Sequence, residues 1–504
     1  MKIEFHGAAG CVTGSCHLMN INGKKVLLDC GLYQGKDERE RGNDIFDFNP
    51  KEIDYVILSH SHIDHSGRIP LLYKRGFKGE VICTEATKDL CSVMLPDSGH
   101  IMEMEIEWKN RKKIRQGLEP AEPLYTAKIA ELAIYLFRGC QYDKWIDVFE
   151  GLKVRFRNAG HLLGSSIVEL KIAEKDKGEV KLVFSGDLGN KNLPLIKNPV
   201  SIDTADYVIM ESTYGNRVHE DINDELLKLV KIIKDTFKRG GNVIIPSFAV
   251  GRTQEVLYAL NQYIEKDLLK DITVYVDSPL ASQSTKIFEK YSEFYDEKAK
   301  KIVDSGENPL NFEGLIFTQS AEDSAKINKI QSGAIIISAS GMCEAGRIQH
   351  HLKHNLWRSE CSIVFVGYQA EGTLGRTIVD GSKKVKIFGE EIAVNAEIHV
   401  LQGLSGHADK NGLLEWLKGF KKKPKEILLV HGDFEAQLEF KELIEQEGFK
   451  AKAMRNGERF IINDYEYKVV ENRKEKILNL LNSFEDIDEM DKETLLQRIN
   501  KVLE

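Results

Sequence analysis

The chain has 504 residues, room for roughly two or three domains, and a composition that is 42% apolar and 29% charged, as in ordinary globular proteins. No apolar run is long enough to cross a membrane, and the N-terminus lacks the apolar core of a secretory signal. We therefore expect a cytoplasmic protein without a membrane partner. The net charge of −8 does not exclude an anionic polymer as substrate, because binding depends on a local patch.

The 8 cysteines form no CxxC pair and no spacing typical of a disulfide framework. Reduced, buried thiols are the expected state, which agrees with a cytoplasmic location.

The N-terminal part of the chain is predicted to be rich in β-strands. Asn22-Gly23 indicates a hairpin turn between two of them, because this dipeptide favours the tight turn of a β-hairpin. Residues 86–140 have the periodicity of helices. The predicted strands of this part are 16–21, 24–29, 55–58, 80–84, 152–157, 166–172, 180–184 and 206–210.

From about residue 215 to 380, short apolar runs alternate with helical stretches, which predicts a parallel sheet covered by helices and a separate α/β domain. The predicted strands are 242–245, 272–276, 334–338 and 362–366, and helices are predicted at 252–265 and 320–331. Strand-like segments at 392–401 and 426–430, with a helix near 410–420 between them, suggest a return to the first domain.

Residues 474–504 read as an amphipathic helix with one apolar stripe. The stripe could pack against a second copy in a homodimer or cover the chain's own core, and the sequence does not decide between them.

Four potential metal ligands fall within six residues directly after the predicted strand 55–58, in the segment His60-Ser61-His62-Ile63-Asp64-His65. Imidazole nitrogens and carboxylate oxygens together suit zinc. Packing alone gives no reason to place three imidazoles and a carboxylate at a strand end. His161 and Asp187 also follow predicted strands beside a glycine, so the sequence predicts one polar site built from several strand ends.

The pattern HxHxDH resembles the signature of the metallo-β-lactamase superfamily. Three further segments look like motifs A, B and C of the β-CASP family, its nucleic-acid-processing branch: 211–215 (ESTYG), 405–409 (SGHAD) and 429–433 (LVHGD). The segments 246–252 and 367–376 also look similar to that family. The resemblance covers about residues 1–465, and the chain looks similar to the endonuclease subunit of the cleavage and polyadenylation specificity factor and to its prokaryotic relatives.

This resemblance implies a metallo-β-lactamase αββα sandwich with an inserted β-CASP α/β domain. The expected divisions are a first part of the lactamase domain at 1–210, the β-CASP domain at 211–390, a return segment of the lactamase domain at 391–468 and a C-terminal helical tail at 469–504.

The resemblance also implies roles for individual residues. His60, His62 and His161 would bind one zinc ion, Asp64, His65 and His431 would bind a second, and Asp187 would bridge them, giving two Zn²⁺ per chain. Asp29 would orient the metal-binding loop. Asp64 and Asp187 would also be catalytic, with His407, polarised by Glu211, as the general acid. Loops beside glycine would supply phosphate contacts from Ser247, Arg252, Ser340 and Arg376.

The implied activity is that of a zinc-dependent ribonuclease acting on single-stranded RNA as an endonuclease, a 5′-to-3′ exonuclease or both. It would use a hydroxide activated by two zinc ions and leave a 5′-phosphate and a 3′-hydroxyl.

Rival interpretations share parts of this pattern. A DNA nuclease of the same family often has a different residue at motif C, so His431 favours RNA. A small-ester or thioester hydrolase would not need the inserted domain, and a tRNA 3′-processing enzyme normally has a protruding arm instead. A scaffold subunit of an RNA-processing complex would draw its support from 474–504.

Overall fold

Strands and helices alternate through residues 1–174 and 178–462, the parts of the chain that a computed structural model describes. The strands, in chain order, are β1 (Lys2–Gly7), β2 (Cys16–Ile21), β3 (Lys24–Leu28), β4 (Tyr55–Ile57), β5 (Glu80–Thr84), β6 (Phe137–Cys140), β7 (Ile146–Phe149), β8 (Leu152–Asn158), β9 (Ser166–Glu174), β10 (Gly178–Phe184), β11 (Tyr207–Glu211), β12 (Val243–Pro246), β13 (Thr273–Val276), β14 (Leu315–Phe317), β15 (Ala334–Ser338), β16 (Ser362–Phe365), β17 (Lys384–Ile387), β18 (Glu390–Ala393), β19 (Glu397–Val400), β20 (Glu426–Val430), β21 (Ala451–Ala453) and β22 (Arg459–Ile461).

The helices of the same ranges are α1 (Gly35–Arg41), α2 (Ile63–Ser66), α3 (Ile69–Lys74), α4 (Glu85–Arg115), α5 (Ala127–Ile134), α6 (Ile222–Lys238), α7 (Arg252–Glu265), α8 (Pro279–Lys290), α9 (Glu297–Asp304), α10 (Ala321–Ile327), α11 (Ile348–Asn355), α12 (Leu374–Val379), α13 (Lys410–Lys418) and α14 (Phe434–Gln446), with short 3-10 helices at Pro50–Glu52, Ser292–Phe294 and Gln402–Leu404. None of these helices is both long and apolar enough to cross a membrane.

Two 7-stranded sheets of the described residues pack face to face, in the orders β22-β1-β2-β3-β4-β5-β6 and β21-β20-β11-β10-β9-β8-β7. Fully buried side chains such as Phe5 and Phe156 fill the space between them. Helices α3, α4 and α5 cover the outer face of the first sheet, and α13 and α14 cover the outer face of the second. Apolar side chains on both faces of each sheet are thus removed from water, and this burial stabilises the four layers. The predicted αββα sandwich is confirmed.

The first sheet begins with the hairpin that Asn22-Gly23 predicts. Asn22 and Gly23 have φ angles of 49° and 82°, which suit the tight turn that joins paired antiparallel strands. Strands β2 and β3 pair from His17 opposite Leu28 to Ile21 opposite Lys24. The turn therefore sets the register that brings Asp29, the residue after β3, to the edge of the sheet.

A third sheet, of 6 strands in the order β14-β13-β15-β12-β16-β19, is inserted between β11 and β20 of the second sheet. Each neighbouring pair of strands in this sheet is parallel. Separate apolar clusters cover its two faces, one containing Val243 and Ile337 and the other Ile244 and Phe365. The predicted inserted α/β domain is confirmed.

Two segments differ from the predictions. Residues 137–140 were expected within a helical region, but they form β6, because they pair in parallel with β5 at the edge of the first sheet. The predicted helix 320–331 is shorter in the structure, where α10 ends at Ile327. In the first case, pairing with a strand distant in sequence outweighs the local pattern.

Strand pairing also bears on the predicted domain limits. Strand β19 pairs with β16, so the hydrogen-bonded chain stays in the inserted sheet until Val400, whereas the sequence places the return at residue 391. The predicted tail at 469–504, the helix 474–504 and the homodimer contact drawn from it lie outside the described residues. All eight cysteines are buried and free, as expected.

Candidate metal centre and active site

Seven predicted ligands converge at one end of the sandwich, in loops that follow strands. The segment after β4 leads into the short helix α2, whose first turn carries Asp64 and His65. His161 follows β8, Asp187 follows β10 and His431 follows β20. Because the strands of the two sheets end at the same edge, side chains distant in sequence meet there.

The first ligand set consists of His60, His62, His161 and Asp187, whose donor atoms lie within 4.8 Å of one another. His62 Nδ1 is 3.1 Å from His60 Nε2 and 3.1 Å from His161 Nε2. Three ring nitrogens thus point at one small volume.

The second set consists of Asp64, His65 and His431. His65 Nε2 lies 3.0 Å from His431 Nε2, and Asp64 Oδ2 lies 3.5 Å from the same His431 nitrogen. This arrangement forms a second volume that nitrogen and oxygen donors surround.

Asp187 lies between the two sets. Its Oδ2 is 3.4 Å from His60 Nε2 and 3.2 Å from His65 Nε2, and its Oδ1 is 3.5 Å from His431 Nε2. The side chain is buried, and its Oδ1 has no hydrogen-bond partner within the described residues. The carboxylate can therefore face both volumes at once.

The chemistry of these side chains fits a pair of cations. Burial lowers the pKa of His60 and of His161, and it lowers the pKa of His62 to about 4. Neutral imidazoles have lone pairs free for a metal, and lone pairs that face one another are unfavourable without one. A buried carboxylate oxygen without a partner is also costly. Nitrogen and oxygen donors in this number suit zinc.

Asp29 holds the second set from outside. Its Oδ2 lies 2.7 Å from His65 Nδ1, and its Oδ1 accepts from the Ser59 backbone N–H at 2.8 Å. Asp29 has a φ angle of 58°, in the left-handed region, so the loop bends sharply to turn the carboxylate toward His65. Asp29 is thus placed where it could orient the His65 ring, and its orienting role stays a prediction.

Other ligands have comparable partners that the sequence did not identify. His161 Nδ1 lies 3.0 Å from the Gly406 carbonyl oxygen, and His431 Nδ1 lies 2.9 Å from Thr213 Oγ1. Partners of this kind fix the ring orientation and the tautomer. Thr213 lies inside the family-like segment 211–215, so its position in that segment could have identified it as a partner of a ligand.

His407 and Glu211 form a pair beside the two ligand sets. His407 Nδ1 is 3.2 Å from Glu211 Oε2 and 3.9 Å from Asp187 Oδ2. Burial lowers the pKa of His407, but the carboxylates of Glu211 and Asp187 outweigh it and raise the pKa to about 9. Glu211 is the nearer of the two carboxylates, so it is the partner that most directly favours the protonated ring.

His407 is held by residues that the sequence did not assign. His219 Nε2 lies 3.2 Å from the His407 carbonyl oxygen, and its backbone N–H donates to Asp409 Oδ2 at 3.0 Å. The Tyr214 ring packs against both histidines. Asp409 and Tyr214 belong to the family-like segments, whereas His219 had no signal of its own.

Arg252, one of the four predicted phosphate contacts, lies beside the segment that carries His407. It is buried, its Nη1 pairs with Glu255, and a Cβ built on Gly406 would lie 3.3 Å from its Nη2. Since Gly406 also contacts His161, the guanidinium borders the first ligand set.

The other three have partners within their own segments. Ser247 Oγ donates to the Phe248 carbonyl at 3.3 Å, and Ser340 Oγ accepts from the Glu344 backbone N–H at 3.1 Å. Arg376 pairs with Asp380 at 2.8 Å along α12. These contacts cap turns or join helix neighbours, so they do not by themselves bring the three side chains to the metal centre.

The fold and the paired His/Asp ligand sets together define a metal-dependent hydrolase. Family models agree: the metallo-beta-lactamase superfamily matches residues 9–207, the Beta-Casp domain matches 253–378, and a Zn-dependent metallo-hydrolase RNA specificity domain matches 391–454. The chain belongs to the β-CASP family of the metallo-β-lactamase superfamily.

Named relatives are similar to this chain over most of its length. The chain is 37% identical to Ribonuclease TTHA0252 of Thermus thermophilus over 458 residues, covering 91% of this chain and 99% of the relative. It is 34% identical to Transcription termination factor FttA of Methanosarcina mazei, covering 85% of this chain and 66% of the relative. It is 32% identical to an RNase J-like protein of Methanocaldococcus jannaschii, covering 87% and 94%.

Proposed function

We propose that this protein is a zinc-dependent ribonuclease that hydrolyses phosphodiester bonds of single-stranded RNA, as an endonuclease, a 5′-to-3′ exonuclease or both, and leaves a 5′-phosphate and a 3′-hydroxyl. The observation that carries the proposal is that two ligand sets meet at Asp187. His407, which pairs with Glu211, has its Nδ1 3.9 Å from Asp187 Oδ2. The RNA specificity model at 391–454 and the ribonuclease names of two relatives favour RNA.

The two ligand sets would each bind one metal ion. His60, His62 and His161 would hold one Zn²⁺, Asp64, His65 and His431 would hold the second, and Asp187 would contact both. Such a pair of ions, when bound, lowers the pKa of a water molecule and offsets negative charge on a phosphate oxygen.

His407 supplies the proton that the reaction needs. Its Nδ1 faces Glu211, which leaves Nε2 for the departing oxygen, and 18% of the side chain is exposed, so a substrate can reach it. Without a donor the leaving group would depart as an alkoxide, a poor leaving group at neutral pH. A positioned acid of this kind contributes about 10²- to 10⁴-fold to the rate.

Arg252 is a candidate side chain for binding the scissile phosphate. One arm of its guanidinium is fixed by Glu255, which orients the other arm beside Gly406 and the first ligand set. A guanidinium can donate two parallel hydrogen bonds to a phosphate. Ser247, Ser340 and Arg376 remain proposed contacts for phosphates farther along the strand.

The test compares two labelled single strands of one sequence, RNA and DNA, each with a 5′-monophosphate, incubated with protein of known metal content. Wild type is run beside His62→Ala and beside His354→Ala, an exposed histidine on α11 that serves as the matched control. We expect RNA to be cut by wild type and by the control but not by His62→Ala.

The product ladder separates endonucleolytic from exonucleolytic attack. Cleavage of DNA as well as RNA would move the assignment to a general nuclease of the same family. Cleavage of neither strand, with two zinc ions per chain, would contradict the proposal.

A further inference from the structure

Two half-buried aromatic rings of the inserted domain lie near the metal centre, one against a candidate ligand and the other against Tyr214. Phe248 follows β12, and its ring centroid is 6.2 Å from that of His62. Tyr368 follows β16, and its ring lies 6.3 Å from the Tyr214 ring, which is 6.1 Å from the His407 ring. We call Phe248 and Tyr368 the aromatic pair. It reaches from the first ligand set toward the proposed acid.

The backbone around the aromatic pair is built to hold it. A Cβ on Gly341 would lie 3.1 Å from the Phe248 ring, and one on Gly367 would lie 3.8 Å from it, so glycine at 341 leaves the ring the space it needs. The buried amide of Gln369 donates to the carbonyl oxygens of Gly341 and Tyr368, each at 3.0 Å. The loops after β15 and β16 are thereby tied together beside the Phe248 ring.

Packing of the protein's own core does not account for these rings. Neither Phe248 nor Tyr368 belongs to any of the apolar clusters of the described residues. Phe365, three residues before Tyr368, is by contrast fully buried in such a cluster. A partly exposed aromatic ring at the edge of a charged site is suited to a flat, apolar ligand.

We propose that Phe248 and Tyr368 stack on the two nucleobases that flank the phosphate held at the metal centre. This inference rests on the proposed ribonuclease function and specifies how the strand is held. Every base has a π face, so stacking would position the phosphate without selecting a sequence, and it would require bases that are unpaired. Loss of one stacked base weakens binding by about 5- to 150-fold.

The test is a binding cycle on zinc-loaded protein with a short RNA whose linkages are non-hydrolysable phosphonates. The strand is used intact and with the base removed at single positions, against wild type and Phe248→Ala. At one position we expect that removing the base, or removing the ring, each weakens binding by about 5- to 150-fold. The two changes together should cost no more than either alone. Tyr368→Ala should couple in the same way to a neighbouring position.

Further variants separate stacking from folding. Phe248→Leu keeps an apolar side chain of similar size and should bind as weakly as Phe248→Ala, whereas Phe248→Tyr keeps the ring and should bind like wild type. Phe388→Ala is the matched control, because Phe388 is exposed in the turn between β17 and β18 of the same domain. Zinc content is measured for each variant.

The outcomes distinguish this inference from the proposed function. If the affinity losses from removing the base and from removing the ring multiply in the doubly changed complex, the stacking proposal is overturned, even if ordinary RNA is cleaved. Wild-type affinity in Phe248→Leu would overturn it as well. Coupled losses without cleavage of ordinary RNA would support the pair and overturn the ribonuclease. A wild-type protein that does not bind the strand at all would overturn both.

Discussion

Two buried carboxylates of this chain lie close to histidines and have opposite surroundings. Asp277, after β13 of the inserted domain, accepts hydrogen bonds from Ser324 Oγ at 2.6 Å and from Arg347 Nη1 at 2.7 Å, and His351 Nε2 lies 2.6 Å away. Asp187 at the metal centre has histidine nitrogens at 3.2 to 3.5 Å and one oxygen without a hydrogen-bond partner.

These surroundings separate a structural carboxylate from a candidate metal ligand. Hydrogen-bond donors surround the Asp277 carboxylate, so its charge is already compensated. Its contact with His351 fixes the end of β13 against α11. Asp187 has one oxygen without a hydrogen-bond partner among the described residues, and imidazole nitrogens of both ligand sets crowd around it at distances that a bound cation would suit. Residue type and burial are alike at the two places, and the hydrogen-bond donors that Asp277 has and Asp187 Oδ1 lacks distinguish them.

The largest effect is expected at Asp187. Asp187→Ala should lose bound zinc and activity together, because both ligand sets share this carboxylate. Metal quantification on purified protein and an RNA cleavage assay measure the two losses. Retention of two zinc ions per chain would remove Asp187 from the bridging position.

The second effect separates chemistry from metal binding at the same centre. His407→Ala should keep its zinc and lose about 10²- to 10⁴-fold in kcat, because the proton donor is lost while both ligand sets stay intact. Turnover close to wild type in a metal-loaded preparation would exclude His407 as the acid.

The metal ligands were the part of the site most open to prediction from the sequence. Four of them, His60, His62, Asp64 and His65, lie within six residues of the chain. The sequence therefore groups them, and the predicted strand before them is enough to place the group at a sheet edge. The distant ligands could be found through short family-like segments. The sandwich and its insertion followed from the alternation of strands and helices together with the same resemblance.

The parts that could not be predicted depend on contacts between distant segments. Strand β6 exists because β5 offers an open parallel edge, and β19 because β16 does, which no local pattern reveals. The half-open faces of Phe248 and Tyr368 depend on which loops surround them. A Phe in an apolar segment such as 246–252 is more simply interpreted as core until its exposure is known.

The third effect tests the other half of the comparison. Asp277→Ala should lower the free energy of unfolding by about 3–5 kcal/mol, because it leaves the partly buried charge of Arg347 without its partner. The folded fraction should still bind zinc as wild type does. Urea unfolding followed by metal quantification of the folded protein gives both values, and zinc loss in the folded fraction would show that Asp277 supports the metal centre.

The smallest effect concerns a third kind of carboxylate–histidine group, on β1, where His6 lies between two acids. His6 Nε2 is 3.5 Å from Glu4 and His6 Nδ1 is 3.6 Å from Asp47. Burial lowers the pKa of His6, but Asp47 and Glu4 outweigh it and raise the pKa from 6.5 to about 9. The group is therefore an ion pair, unlike the neutral histidines of the first ligand set.

Linkage fixes the sign of its pH dependence. Because the pKa of His6 is higher in the folded than in the unfolded protein, protonation stabilises the fold fully below pH 6.5, and this contribution is lost as the pH rises to about 9. His6→Gln removes the titrating group, so the stability difference between wild type and variant should shrink across that window. Urea midpoints of both proteins at pH 6 and pH 9.5 measure it, and a difference that stays constant would mean that His6 is neutral in the folded protein.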